Sequence, residues 1–126
     1  MCIRDSTSGI PDVIFLAPYV DTVKNNPNRV FAPTEVVSWV NSSTFPAGTS
    51  WNYSNTNYVL AGMIAENATG FHISKIIRDI ILTPLNMDST FYDVKEPVVG
   101  NIAHRWWNGI TAVSYTHLTL PTKRIV

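Results

Sequence analysis

The sequence predicts a mostly helical segment of one globular domain, and three observations carry that expectation. Ile73, Ile76, Ile77, Ile80 and Ile81 fall at i, i+3, i+4, i+7 and i+8, the stripe of an amphipathic helix. A second apolar run, Tyr58 to Ala65, follows residues able to cap a helix. The chain has 126 residues and 45% hydrophobic side chains, enough for one ordinary domain and too apolar for a disordered chain. Nine basic residues balance nine acidic ones, so no basic face for nucleic acid and no polybasic membrane patch is expected. No apolar run approaches the roughly 20 residues that a membrane helix needs. A single cysteine builds neither a disulfide framework nor a cysteine zinc site.

The two ends resemble translated sequencing-library adapter. The DNA string ATG-TGT-ATA-AGA-GAC-AG encodes Met1 to Asp5 and opens a serine codon. Its reverse complement, continued through the adapter, encodes Val113 to Thr122. Residues 1–6 are therefore expected to be an adapter-derived scar and residues 113–126 an adapter-derived tail, both packing little. The stretch 7–112 is the expected native part. It carries six basic and eight acidic residues and no cysteine.

Within 7–112, Thr7 to Ala32 is interrupted by Gly9, Pro11, Pro18 and Pro27, which predicts loop with a short helix or two. Asn25-Asn26-Pro27-Asn28 is expected to turn. Pro33 to Val40 predicts a short helix. Pro33 suits its first position, Glu35 faces the positive end of its dipole, and Val36, Val37 and Val40 share a face. Phe45 to Asn55 is expected to be a loop anchored by Phe45, Trp51 and Tyr53.

A helix should then start near Asn55 or Thr56. It is apolar on all sides, which predicts burial all round, and Gly70 should stop it. The isoleucine stripe predicts the next helix over Ile73 to Leu82, ended by Pro84 through its effect on the preceding residue. Pro84 to Tyr92 is a loop. Val98-Val99 and Ile102-Ala103 are candidate strand starts.

Few residues gather for chemistry. His72 and His104 are far apart and lack acidic or cysteine partners at ligand spacing, so no metal site is expected. His72 suits a helix start. Trp106-Trp107 suits packing better than a ligand cleft. No Gly-rich phosphate loop is present.

Tyr53-Ser54-Asn55 is the arrangement that stands out. A tyrosine just before a buried helix can meet the positive end of the dipole, which favours phenolate, and a neighbouring lysine would push the same way. Such a group could exchange protons with a serine and a leaving group. The Asn55 amide both donates and accepts, which suits a substrate amide. A packed loop aromatic is the alternative for the same three residues.

Four strings extend the pattern. Thr7-Ser8-Gly9-Ile10-Pro11-Asp12 resembles the HTSGIPD segment of the class C β-lactamase and D-Ala-D-Ala carboxypeptidase family of serine hydrolases, with Ser6 where the family has His. Pro46 to Tyr58 is similar to the PGT-x-W-x-YSN-x-x-Y stretch that carries the Tyr-x-Asn motif, with Ala47 in place of a proline. Glu66 to Gly70 resembles E-x-x-TG. Pro84 to Thr90 resembles PLGM-x-x-T, with Asn86 in place of glycine, a residue that also tolerates the turn.

The resemblance implies an α/β (α+β) serine β-lactamase/transpeptidase-like fold, with this chain as its mostly helical middle. It implies acyl transfer: a serine of Ser-x-x-Lys attacks an amide, ester or β-lactam carbonyl, and water or an amine resolves the acyl-enzyme. By the same resemblance Tyr53 is the catalytic proton shuttle and Asn55 the substrate-binding contact. No cofactor is implied, and the substrate is a small molecule or peptide. A periplasmic or extracellular setting is also implied. Ser-x-x-Lys is expected upstream of Thr7 and the third motif downstream of Ala112, and no serine in the chain has Lys three residues on. A non-catalytic binding relative with the same fold is the alternative.

Overall fold

A computed structural model describes residues 2–26, 29–92, 95–99, 105–107 and 110–112. The first element is a 3₁₀ turn, Val13–Phe15, capped by Asp12, whose Oδ1 accepts from the Ile14 N–H. Helix α1, Ala17–Asn25, follows directly. Pro18 lies within its first two positions, where a missing N–H costs nothing, so this proline starts a helix rather than interrupting one. α1 ends at Asn25–Asn26, and the rest of the expected turn, 27–28, lies outside the described residues.

Helix α2, Pro33–Ser38, has Pro33 at its start and Glu35 in its first turn, as its sequence predicts. Glu35 also pairs with Arg29 at 2.7 Å. Val36 is fully buried. It joins Val13, Tyr19 and Val59 in the core, with Val20, Phe31, Val37, Trp39 and Met63 packed around them. Tyr19, Phe31 and Trp39 form an aromatic triangle with ring centroids 5.3 to 6.4 Å apart, the tilted and edge-on spacing that aromatic quadrupoles favour.

Helix α3, Asn55–Thr69, begins and ends where expected, and Gly70 takes the left-handed conformation (φ 71°) that stops it. Its burial differs from the expectation. The buried face consists of Asn55, Thr56, Asn57, Val59 and Gly62, whereas Tyr58 and Ile64 are exposed. Among the described residues α3 packs against the 3₁₀ turn, α2 and the next helix, which cover one side only.

Helix α4, Ile73–Ile77, is capped by His72, whose Nδ1 accepts from the Ser74 N–H. It continues as a π turn, Arg78–Leu82, in which the Thr83 N–H reaches the Arg78 carbonyl five residues back at 2.8 Å. A π turn takes one residue more than an α turn, so the isoleucine stripe slips out of phase. Leu82 is buried in its place, and Ile80 and Ile81 face outward. Thr83 keeps helical dihedrals and the Leu85 N–H still reaches the Ile81 carbonyl at 3.2 Å, so Pro84 does not displace its neighbour, and its missing N–H only interrupts the regular bonding. Asn86 adopts φ 53°, the turn conformation expected of it.

Arg78 ties this end together. Its guanidinium donates to both Glu96 carboxylate oxygens (3.0 and 2.7 Å) and to the Thr90 carbonyl (2.6 Å), while Glu96 also accepts from the Tyr92 N–H. Strands β1, Arg105–Trp107, and β2, Ile110–Ala112, form an antiparallel pair with Trp106 opposite Thr111. Val98-Val99 is not strand, and Ile102-Ala103 and His104 lie outside the described residues.

Residues 2–6 pack more than expected. Ser6 is buried and its carbonyl accepts from the Asn52 N–H at 3.0 Å. The Thr7 carbonyl takes the Gly48 N–H and the Gly9 carbonyl the Thr44 N–H, both at 2.7 Å, so residue 6 extends a backbone lacing that does not depend on its side chain. The same lacing, with half-buried Phe45 against Gly9, holds the loop before α3, whereas Trp51 and Tyr53, also expected as anchors, are exposed. The expected tail, 113–126, lies outside the described residues.

Two outcomes follow from these features. Phe15, Trp51, Tyr58, Ile64, Phe71, Ile80 and Leu85 are all exposed, and large exposed apolar patches mark surfaces that associate. Expressed alone, this chain should self-associate and melt without cooperativity in light scattering and calorimetry, and a monomer with a sharp transition would contradict this. The second outcome concerns Glu96. The Arg78 hydrogen bonds hold its carboxyl below the usual range. Its contribution to stability is therefore complete above the unfolded carboxyl's pKa and is lost as pH falls through the lower folded value. Carboxyl-carbon NMR should show this low midpoint, and Arg78→Met should return it to the ordinary range.

Candidate active site

Two strings distant in sequence meet at the start of α3. Ser54 occupies the N-cap position with extended backbone, but its hydroxyl donates to the Pro11 carbonyl at 3.2 Å instead of capping α3. Thr56 is fully buried. Its Oγ1 donates to the Pro11 carbonyl at 2.8 Å and accepts from the Val13 N–H at 2.9 Å. Asn57 Oδ1 accepts from the Ser8 hydroxyl at 2.8 Å, and that hydroxyl accepts in turn from the Ile10 N–H. Gly9 lets the same segment run close against Phe45. It holds φ 73°, and a Cβ there would collide with the Phe45 carbonyl.

Tyr53 and Asn55 are brought together within this lattice. The Tyr53 hydroxyl donates to Asn55 Oδ1 at 3.3 Å, and Asn55 Nδ2 donates to Asp12 Oδ2 at 2.7 Å. Asn55 is only 7% exposed, whereas Tyr53 is 46% exposed and its ring lies 5.8 Å from that of Tyr58. Tyr53 is thus exposed over nearly half of its surface, while its partner Asn55 is held from behind by Asp12.

The electrostatics differ from the sequence expectation. Partial burial, then the neighbouring Tyr58 and the Asp12 carboxylate, raise the Tyr53 pKa above its ordinary value. Nothing cationic offsets them among the described residues around it, so the phenol is held protonated here. The Asn55 amide, expected to be free for a substrate, is engaged at both ends.

Sequence reasoning missed Asp12, Ser54 and Thr56 as builders of this site. Asp12 had a legible signal as a capping residue before an apolar run. Ser54 and Thr56 had none, since each bonds across more than 40 residues. His72 lies at the other end of α3 from this cluster. Trp106 and Trp107 lie on β1.

The arrangement has counterparts. A D-stereospecific amidohydrolase from Streptomyces sp. superposes with TM-score 0.68 at 28% identity, over 78% of this chain and 32% of that one. The D-amino acid amidase of Ochrobactrum anthropi SV3, complexed with L-phenylalanine, gives 0.63 at 27% identity, over 77% and 27%. These likenesses define the segment as part of a β-lactamase/transpeptidase-like fold, mostly helical in the stretch seen here. The family model described as Beta-lactamase matches residues 5–120, and the chain belongs to that family. Protein flp of Staphylococcus aureus (strain MRSA252) is 36% identical over 86 residues, which are 68% of this chain and 16% of that protein. The chain thus spans about a sixth of the length of that relative.

The lattice can be tested at its hub. Thr56→Val keeps the shape but strands the buried Val13 N–H. In the complete protein it should cost about 1–3 kcal/mol, read by denaturant unfolding. Thr56→Ser should restore most of the loss. If valine proves neutral, the hydroxyl does not organise the site.

Proposed function

We propose that the protein of which this chain is a part is a serine hydrolase that opens an amide, ester or β-lactam carbonyl through an acyl-enzyme, with amides as the favoured class. The single observation that carries the reading is the hydroxyl of half-exposed Tyr53, hydrogen-bonded to buried Asn55 within a Tyr-x-Asn motif. Membership of the Beta-lactamase family supports it, as do the two amide-cleaving enzymes named among the structural likenesses.

In this reading Tyr53 moves the proton. A serine of a Ser-x-x-Lys motif gives up its proton as it attacks the carbonyl, the phenolic oxygen of Tyr53 receives it, and the leaving nitrogen takes it back. The lysine is needed because Tyr53 alone is biased toward the protonated form. A cation beside the phenol shifts that balance toward phenolate. Asn55 offers the substrate its second Nδ2 hydrogen, since the first is committed to Asp12. The expected periplasmic or extracellular setting is kept as part of the proposal.

Tyr53→Phe in the complete protein tests this. It keeps the ring and removes only the oxygen, so acylation should fall roughly a hundred- to ten-thousand-fold with the melting temperature unchanged. Tyr53→Ala should lose the same activity and little stability, because the ring is half in solvent. Acylation rates with a chromogenic ester and amide, beside thermal melts, read both effects. Unimpaired acylation in Tyr53→Phe would leave the motif a packing feature, as in a non-catalytic relative.

A further inference from the structure

We propose that Asp12 is a positioning residue that decides which end of the Asn55 amide meets the Tyr53 hydroxyl. The inference rests on the reading of Tyr53 as the proton-transfer group. An asparagine amide is nearly symmetric in shape but presents an acceptor at one end and a donor at the other. Its neighbours therefore choose its orientation. Asp12 Oδ2 sits 2.7 Å from Asn55 Nδ2, and a carboxylate only accepts. The reversed amide would bring two oxygens face to face at that distance in a buried site, with the NH₂ group left to other partners.

The orientation has a consequence at the phenol. With Nδ2 committed to Asp12, Oδ1 is the end that faces Tyr53, and the hydroxyl donates to it. An acceptor at the phenol stabilises the protonated hydroxyl, whereas a donor there would stabilise phenolate. Asp12 thus sets the resting protonation state of Tyr53 through Asn55. The carboxylate is itself held in place, because its other oxygen caps the 3₁₀ turn at Ile14, next to fully buried Val13. Among the described residues, the polar or titratable groups that face Tyr53 are Asn55, Tyr58 and Asp12.

Asp12→Asn separates orientation from packing. Asparagine retains an oxygen for the Ile14 N–H, and its NH₂ then faces Asn55. The Asn55 amide must turn over and point Nδ2 at the phenol. Difluorotyrosine in place of Tyr53, in the complete protein, brings the titration into a mild pH range, and fluorine NMR reads that one residue. Losing the Asp12 charge also lowers the midpoint, so the same change is made in an Asn55→Leu background, where no amide can turn. The expected result is a fall in midpoint about one pH unit larger with Asn55 than with Asn55→Leu, roughly tenfold in the ionisation constant. Equal falls in the two backgrounds overturn the proposal.

A second measurement needs no substitution. The Asn55 Nδ2 protons should show nuclear Overhauser contacts to the Asp12 β protons and not to the Tyr53 ring, and the opposite pattern overturns the proposal. The two readings fail separately. Full acylation by Tyr53→Phe with the coupling present removes the proton-transfer role alone. An inactive Tyr53→Phe with no coupling removes the positioning role alone.

Discussion

The hydrogen-bonded lattice between residues 8–13 and 54–57 is the constraint on which the rest of the structure depends. Asp12, Ser54, Asn55, Thr56 and Asn57 are all buried, and each finds a partner across the junction. A buried polar group without a partner costs about 1–3 kcal/mol, so a lattice of this kind stabilises only when it is assembled together. It also joins the site to the core. Val13 donates its N–H to Thr56 and buries its side chain against Tyr19, Val36 and Val59. The apolar packing of α1 and α2 and the placement of Tyr53 are therefore fixed by the same few atoms.

Local signals in the sequence located most of the elements. Pro33 and Glu35 mark the start of α2, Gly70 marks the end of α3, and Asn86 fills a left-handed turn position. Each of these acts over one to four residues, where chain geometry alone decides the outcome. Tyr53 and Asn55 were legible as a pair because they sit two residues apart at a helix start. Asp12, the third member, was legible only as a cap. Its bond to Asn55 spans 43 residues, and no spacing rule encodes a contact that the tertiary fold creates.

The misreadings share a cause as well. Hydrophobic periodicity assumes an α-helix of constant pitch and a neighbour on every apolar face. The π turn at Arg78–Leu82 breaks the first assumption, leaving Ile80 66% exposed while Leu82 goes inside. The one-sided cover of α3 breaks the second, since Ile64 is at least as apolar as the buried Val59 and yet is exposed. Trp51 and Tyr53 show the same point for loops. Backbone bonds from Ser6, Thr7 and Gly9 hold the segment, and Trp51 is left exposed.

The lattice also carries a loop-closure cost. Its bonds link residues 43 to 49 positions apart, so the chain between them must close into a loop before any of them forms. The entropy of closing such a loop is lost in one step, while a helix can nucleate from neighbours alone. α3 can therefore form first and present Ser54, Asn55, Thr56 and Asn57 on a single preformed turn, to which the Ser8–Val13 segment docks as a unit. The Asn55 amide gains its Asp12 partner only with that docking. A chain stalled before it would have its helices and a solvent-facing tyrosine, but no fixed amide behind the phenol.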